Sequence, residues 1–150
     1  MFQKDLAIRF RQYFQDVSLK AQQCRAQAIA NVERRSLQQL YGRAKIFWHA
    51  AGYGEDDRRP ELAEHFGIAT VEAMAAGCIP IVINKGGQPE IVQHGECGFV
   101  WDRLEELQAY TELLMRDESR RAEMAKAARA RAARFSREQF VNRFLRLLKI

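Results

Sequence analysis

Two glutamates eight positions apart, Glu64 and Glu72, flank a segment that could bind a phosphate. A Phe-Gly step lies between them, and a run of strong helix formers follows until Gly77. If this helix begins at Gly67 or Ile68, its first amides carry a partial positive charge that suits an anion. One carboxylate on each side of a phosphate site predicts a ligand with hydroxyl groups at both ends, as in a nucleotide-sugar.

This pattern assigns a separate role to each group. Glu64 would accept hydrogen bonds from sugar hydroxyls, and Glu72 would bind the two hydroxyls of a ribose, as a carboxylate does in dinucleotide-binding folds. The backbone amides of Phe66, Gly67 and Ile68 would bind the diphosphate. Taken alone, however, the spacing favours a simpler alternative, in which Glu72 is a solvated helix residue and Glu64 is a charge on a loop.

Alternating strands and helices must position these residues. Lys45–His49 is a short apolar strand candidate, and Ile79–Ile83 is a near-continuous apolar run, typical of a parallel strand buried on both faces. A third short strand is predicted within Gly95–Val100. The sequence therefore predicts an α/β fold, with a partial Rossmann-like parallel sheet flanked by helices. About three or four strands are fewer than a complete doubly wound domain has.

Ligands of open α/β sheets bind at the carboxyl ends of the strands. The loop that carries Glu64 follows the first predicted strand, and Gly86-Gly87 follows the second, so both loops should reach the same rim. Two residues without side chains would let a ligand approach the backbone closely. A Gly-Gly turn before a short helix that Pro89 opens is also an ordinary way to leave a strand, and that alternative stays open.

The remaining chain is predicted to be mostly helical. Residues 2–28 predict one long or two shorter helices, and Ile29–Val32 predicts a short strand. Ser36 is a candidate N-cap for a helix that ends near Gly42. We expect a helical segment over residues 1–35 and the binding domain over residues 36–150. The last part predicts three helices, over residues 104–115, 119–133 and 136–148, the third with a capping box formed by Ser136 and Gln139.

Composition excludes several classes of protein. A chain of 150 residues with 47% apolar residues can bury a core of single-domain size. Its longest apolar runs are too short to cross a bilayer, and no signal-peptide pattern opens the chain. Three cysteines without metal-ligand spacing favour free thiols in the cytoplasm. The three histidines do not form a metal set either, so no metal and no cofactor are expected.

Charge is distributed in three blocks. Residues 1–45 contain nine basic and three acidic residues, a net charge of +6. Residues 116–150 contain eleven basic and four acidic residues, a net charge of +7. The middle block, residues 46–115, contains four basic and twelve acidic residues, a net charge of −8. A nucleic-acid partner is not expected, because the binding motif lies in the acidic block. The basic ends predict solvated arginine-rich faces first, with peripheral membrane contact as an alternative.

Other catalytic patterns are absent from the sequence. None of the serines follows a nucleophile-elbow pattern, and there is no Gly-Lys-Ser/Thr phosphate loop. Hydrolase and kinase chemistry therefore have no support.

The stretch from Leu40 to about Phe140 resembles the carboxy-terminal, donor-binding domain of the retaining family-4 glycosyltransferases of GT-B architecture, among the glycosyl transferases group 1. Its motifs stand in order over about two-thirds of the chain. They are Leu40-Tyr41-x-x-Ala44, Glu64-x-Phe66-Gly67-Ile68, Glu72-Ala73-Met74-Ala75-Ala76-Gly77, Ile79-Pro80-Ile81-Val82, Gly86-Gly87-x-Pro89-Glu90-Ile91-Val92 and Gly95-x-x-Gly98-Phe99.

The resemblance implies transfer of a sugar from a nucleotide-sugar to an acceptor hydroxyl with retention of configuration and without a bound metal. It associates Glu64 with the donor sugar, as the catalytic position, and Glu72 with the ribose. Such enzymes bind the acceptor on another domain, which here would have to come from a separate chain or a homo-oligomer. The alternative is a non-catalytic remnant that serves as a nucleotide-binding or assembly module.

Two departures from the family pattern affect these expectations. His49-Ala50 replaces the usual Pro-Ser before the first glutamate, and His65 replaces a small residue after it. The family also carries a basic pair that neutralises the leaving diphosphate, and residues 1–40 offer no convincing match. Arg34 and Arg35 are poor substitutes. The isolated chain is therefore expected to be inactive.

Overall fold

The computed structural model describes residues 2–56 and 58–148, which divide into two compact units. The first unit ends at Leu37, and the second begins at Gln38. Helix α1, Phe2–Gln23, accounts for most of the first unit, and the boundary between the units falls within helix α2, Arg34–Arg43. Every candidate site residue lies in the second unit.

Two local predictions in the first forty residues are wrong. Ile29–Val32 forms no strand, because Asn31 adopts a left-handed backbone with φ 53°, which interrupts an extended run. Ser36 does not cap α2 but lies inside it, since the helix already begins at Arg34. The amide of Leu37 donates to the carbonyl oxygen of Glu33 at 2.9 Å, which continues the helical hydrogen bonding upstream of Ser36.

The second unit is built on a three-stranded parallel sheet in the order β1-β2-β3. The strands are β1, Ile46–His49; β2, Ile79–Ile83; and β3, Phe99–Trp101. Ile46 pairs with Ile79, and Ile81 pairs with Phe99, so the carboxyl ends of the strands lie on one rim. The predicted α/β fold class, with a parallel sheet flanked by helices, is confirmed.

Strand β2 is buried on both faces, as its apolar run predicted. All five of its residues are buried. Val82 packs into one apolar cluster with Met74 and Ala128, whereas Ile81 packs into the other with Leu114. Alternate side chains of a strand point to opposite faces, so one five-residue strand contributes to both cores.

Helices cover the two faces of the sheet. Helix α3 packs against α6 beside β2, and α5 packs against β2 and β3. The final helix, α7, begins after Ser136, whose hydroxyl oxygen accepts a hydrogen bond from the amide of Gln139 at 3.3 Å. The helices of this unit after α2 are α3, Ile68–Ala76; α4, Gln88–Ile91; α5, Leu104–Arg116; α6, Glu118–Ala133; and α7, Arg137–Leu147.

Helix α3 has the bounds that the sequence predicted. It follows Gly67 and is followed by Gly77, and both glycines adopt left-handed backbones with φ 94° and φ 95°. Residues with a β-carbon rarely adopt this conformation, so the two glycines fix where the helix begins and ends. None of the described helices has both the length and the apolar character required to cross a bilayer.

Candidate nucleotide-sugar site

The loops after β1 and β2 meet at the rim of the sheet. The amide of Gly87 donates a hydrogen bond of 2.9 Å to the carbonyl oxygen of Glu64. A β-carbon on Gly86 would overlap that same carbonyl oxygen, and a β-carbon on Gly87 would overlap the carbonyl oxygen of His65. The space left by the two missing side chains therefore accommodates the backbone of the motif segment.

The Glu64 carboxylate lies at the start of this junction and is half-buried. Its Oε1 accepts a hydrogen bond from the amide of Phe66 at 3.3 Å. The phenyl ring of Phe66 contacts Phe135 edge-on, with the ring centroids 5.9 Å apart. The Phe66 amide, one of the three predicted to bind phosphate, therefore already has an acceptor, and this acceptor is the carboxylate predicted to contact the sugar.

The next three amides are available to a ligand. Thr70 and Val71 donate to the carbonyl oxygen of Gly67 at 3.0 and 3.2 Å, which closes the first turn of α3. Within residues 2–56 and 58–148, the amides of Gly67, Ile68 and Ala69 have no hydrogen-bond acceptor. Free amides at a helix start attract an anion through hydrogen bonding and through the helix dipole.

Glu72 lies one turn further along α3 and is exposed. Burial raises the pKa of the Tyr41 phenol, and the charge of Glu72 raises it further, which places the carboxylate near the end of α2. Two neighbours of Glu72 along the chain, Ala73 and Met74, are fully buried, so the helix presents this carboxylate on its solvent side. The Glu72 carboxylate has no hydrogen-bond or ion-pair partner within residues 2–56 and 58–148, so it can accept hydrogen bonds from a ligand directly.

A cleft of about 390 Å³ opens beside the junction. Both Gly86 and Gly87 line it, and His65 lies on its wall. The other lining residues come mainly from the loop after β1, and they are Gly52, Glu55, Asp56, Arg59, Pro60, Ala63, Asn84, Lys85 and Glu90. This volume is in the range of small-molecule sites, and the charged and polar groups on the wall can form hydrogen bonds with a hydroxylated ligand.

The loop that carries these groups is tied to the end of β2. Lys85 Nζ donates to the carbonyl oxygen of Glu55 at 2.8 Å, and the Arg58 side chain donates three hydrogen bonds to the Asp56 carboxylate at 2.7, 3.0 and 3.1 Å. These hydrogen bonds lower the pKa of the Asp56 carboxyl, although the group is exposed. The sequence analysis expected this loop to reach the rim with Glu64 and did not predict that its charged residues would form a wall of the cleft.

His49 ends β1 next to the junction. Burial lowers the pKa of its imidazole, and the nearby Glu64 carboxylate opposes this effect only in part. The lowered pKa favours the neutral imidazole, and Nε2 of His49 lies 3.4 Å from Nε2 of Gln88. Gln88 and its partner Thr70 are both fully buried, and the sequence analysis assigned neither a role. No local sequence signal identifies them, because they are partners across 18 positions.

The described residues do not form a cluster of metal ligands. Among residues 2–56 and 58–148, no three His, Cys, Asp or Glu side chains converge as metal ligands would. The arrangement at the rim therefore offers hydrogen bonding and a helix dipole. These are the means by which a protein can hold a diphosphate and hydroxyl groups.

The family model for glycosyl transferases group 1 matches residues 12–131. The chain belongs to this family. The match includes the whole rim, from β1 through the Glu64–Glu72 segment and the Gly86-Gly87 turn. The predicted membership of the glycosyl transferases group 1 is therefore confirmed.

Individual glycosyltransferases resemble shorter stretches of the chain. It is 41% identical over 87 residues to GDP-Man:Man(3)GlcNAc(2)-PP-Dol alpha-1,2-mannosyltransferase of Dictyostelium discoideum, covering 57% of this chain and 17% of that protein. It is 38% identical over 86 residues to human alpha-1,3/1,6-mannosyltransferase ALG2, covering 55% of this chain and 20% of that protein.

Solved structures show the same relationship. Anabaena HepE in complex with UDP superimposes with a TM-score of 0.62 at 26% identity, over 74% of this chain and 29% of that one. Its complex with UDP-glucose gives a TM-score of 0.57 at 27% identity, over 67% and 26% of the two chains. This glycosyltransferase chain thus spans about a fifth of the curated relatives named above and under a third of HepE.

Proposed function

We propose that this chain supplies the nucleotide-sugar-binding part of a retaining family-4 glycosyltransferase and corresponds to the carboxy-terminal domain of a GT-B enzyme. One observation carries the proposal: the half-buried Glu64 lies three residues before Gly67, the first of three amides without an acceptor among the described residues, at the carboxyl rim of a parallel sheet. Family membership and the relatives' names support it.

Each group has one proposed role. The amides of Gly67, Ile68 and Ala69 bind the diphosphate and stabilise the negative charge that develops on it as the sugar leaves. Glu64 accepts hydrogen bonds from the hydroxyls of the donor sugar, next to the cleft that Gly86 and Gly87 line. The exposed Glu72, one turn along α3, binds the ribose hydroxyls.

The proposed donor is a nucleoside diphosphate hexose. Two comparisons point to different members of that class. The Dictyostelium relative has GDP-Man in its name, and HepE has been solved with UDP and with UDP-glucose. Titration with both nucleotides decides between the two bases. No metal ion is assigned to the proposed site.

Transfer to an acceptor is proposed to need an acceptor-binding domain beyond the described rim. The small share of the relatives that this chain spans supports that proposal. Without such a domain the chain should bind the donor and transfer no sugar.

Calorimetric titration of the purified chain tests the donor site. GDP, UDP, GDP-mannose and UDP-glucose should be compared for the wild type, Glu72→Ala and Glu64→Gln, with Glu123→Ala as the matched control. Glu123 is an exposed mid-helix carboxylate on α6, and it has no hydrogen-bond or ion-pair partner among the described residues. We expect Glu72→Ala to weaken every ligand about ten- to a hundredfold, as for a lost charged hydrogen bond.

Glu64→Gln should behave differently from Glu72→Ala. It should leave the affinity for the free nucleotide near that of the wild type and remove the added affinity that the sugar supplies. A glutamine at this position can still accept from the Phe66 amide, so the loop keeps its hydrogen bond. A folded wild-type chain that binds none of the four ligands would contradict the proposal.

A further inference from the structure

Two fully buried polar side chains lie beneath the start of α3, and no role proposed so far uses them. Thr70, in the first turn of α3, donates its hydroxyl proton to Oε1 of Gln88 at 2.8 Å. Gln88 is the first residue of α4, directly after the Gly86-Gly87 turn. Buried amides and hydroxyls cost folding free energy unless they are paired, so an apolar pair would be the simpler filling for this position.

The other end of the Gln88 amide reaches β1. Oε1 of Gln88 accepts from Thr70, so the amide nitrogen is the group that faces His49. Because this nitrogen can only donate, Nε2 of the imidazole must be the acceptor of the hydrogen bond. The neutral imidazole then carries its hydrogen on Nδ1. This Nδ1 is buried and has no hydrogen-bond partner among the described residues. Within that part of the chain, Gln88 is therefore the side chain that orients the His49 ring through a hydrogen bond.

Gln88 also limits which residue fits at position 67, directly before α3. A β-carbon on Gly67 would overlap the Gln88 amide nitrogen, so the helix start lies directly against this side chain. One glutamine thus contacts the end of β1, the residue before α3 and the first turn of α3. Hydrogen bonds depend on direction as well as distance, so this arrangement fixes the orientation of α3 more closely than apolar packing would.

We infer that Gln88 is a positioning residue of the donor site, which holds the first turn of α3 to the end of β1 through Thr70 and His49. It thereby sets how the amides of Gly67, Ile68 and Ala69 face a diphosphate. This inference rests on the proposed function, because it concerns the same amides. The Thr70–Gln88–His49 chain is called the amide clamp below.

A purely structural role would have a different signature. If the amide clamp only filled the core, breaking it would lower the free energy of unfolding, and the molecules that remain folded would bind as before. If the amide clamp positions the helix start, folded variants bind the diphosphate more weakly. Removing a second member after the first should then add little, since residues that act as a unit are not additive.

Thr70→Val and Gln88→Met test the amide clamp singly and together. Valine keeps the shape of threonine, and methionine keeps the approximate length of glutamine. Affinities for GDP, UDP and inorganic pyrophosphate should be measured by calorimetry at a temperature where circular dichroism shows every variant folded. We expect each single variant to bind about five- to tenfold more weakly, and the double variant no more weakly than about tenfold.

Two control variants accompany this series. Ser18→Ala also removes a partly buried hydroxyl, which donates to the carbonyl oxygen of Phe14 on α1, and should leave affinity unchanged. Thr70→Ser keeps the hydroxyl and should restore binding. Folded single variants with wild-type affinity would overturn the inference.

Nitrogen NMR of His49 provides a readout that needs no ligand. The wild type should show the neutral tautomer with hydrogen on Nδ1, and Gln88→Met should lose this preference. If the wild type bound no nucleotide, the proposed function would fail. The His49 tautomer would still show whether Gln88 forms the hydrogen bond of the amide clamp. Loss of the preference in Gln88→Met would support the amide clamp as a structural link, and an unchanged tautomer would refute it.

Discussion

The amide of Gly87 donates a 2.9 Å hydrogen bond to the carbonyl oxygen of Glu64. This bond joins the loop after β2 to the loop after β1, so the two loops cannot move independently at the rim. Glu64 accepts this bond with its backbone and keeps its carboxylate for the Phe66 amide and for a ligand. The geometry of the candidate site therefore depends on a glycine that bears no functional group.

Replacement of this glycine should be costly. In Gly87→Ala, the new β-carbon would meet backbone atoms of His65 and Phe66, which cannot rotate away. We expect a loss of about 1–3 kcal/mol in the free energy of unfolding, as for overpacking. Gly42→Ala is the control, because its β-carbon would have open space on helix α2, and it should stabilise by about 0.5–1 kcal/mol. Urea denaturation of both variants measures the difference.

The core behind the site gives a second prediction with a matched pair of methionines. Met74 is fully buried between α3 and the sheet, whereas Met115 on α5 is 71% exposed. Met74→Ala should lower the free energy of unfolding by about 2–5 kcal/mol, because it leaves a cavity. Met115→Ala should stay within about 0.5 kcal/mol of the wild type. Equal losses in the two variants would contradict the burial described for α3.

Stability should also depend on the protonation of His49. The pKa of His49 is lowered in the folded chain, mainly by burial, so the unfolded chain binds this proton more readily. Its contribution to stability is therefore complete above the unfolded pKa of about 6.5 and is lost as pH falls from there to the folded value. Below the folded value the contribution no longer changes.

Urea denaturation between about pH 5 and 7.5 checks this pH dependence. His49→Asn should flatten the part of the curve that the imidazole causes, and the exposed His65 provides the control variant His65→Asn. If the His49 variant kept the full wild-type slope, the imidazole would not be the group that titrates.

Thiol reactivity tests the burial of the three cysteines. Cys24 is exposed, while Cys78 and Cys97 are buried and burial raises the pKa of both thiols. Because the thiolate is the reactive form, the native chain should react with a thiol reagent at Cys24 alone on the fast timescale. All three should react after denaturation. Cys24→Ser should abolish the fast phase, and a remaining fast phase would show that one of the two buried thiols is accessible.

Part of this architecture could be predicted because its causes are local in the sequence. The strand Ile79–Ile83 follows from a continuous apolar run, and the bounds of α3 follow from Gly67 and Gly77. The family motif then connected Glu64 and Glu72 with a donor, although their roles stay predictions. The failed strand at Ile29–Val32 shows the limit of such rules, because the backbone of one residue, Asn31, interrupts the pattern.

The remainder depends on contacts between distant residues. Thr70 and Gln88 are ordinary polar residues in the sequence, and only the fold places both out of water and against each other. Gly86 and Gly87 were predicted either to let a ligand approach or to form an ordinary turn, and neither alternative included the backbone of Glu64 and His65, which lies against them. Such close approaches follow from how the two loops cross and cannot be deduced from the composition of either loop.

The contact between Gly67 and Gln88 also limits how this chain can evolve. A methyl group at position 67 would need the volume that the glutamine amide occupies, and a smaller residue at position 88 would leave Thr70 without its acceptor. The left-handed backbone of Gly67 disfavours a β-carbon whatever residue occupies position 88, so a smaller residue at 88 cannot rescue a change at 67. Combinatorial randomisation of positions 67 and 88 should accordingly recover glycine at position 67 in nearly every folded variant.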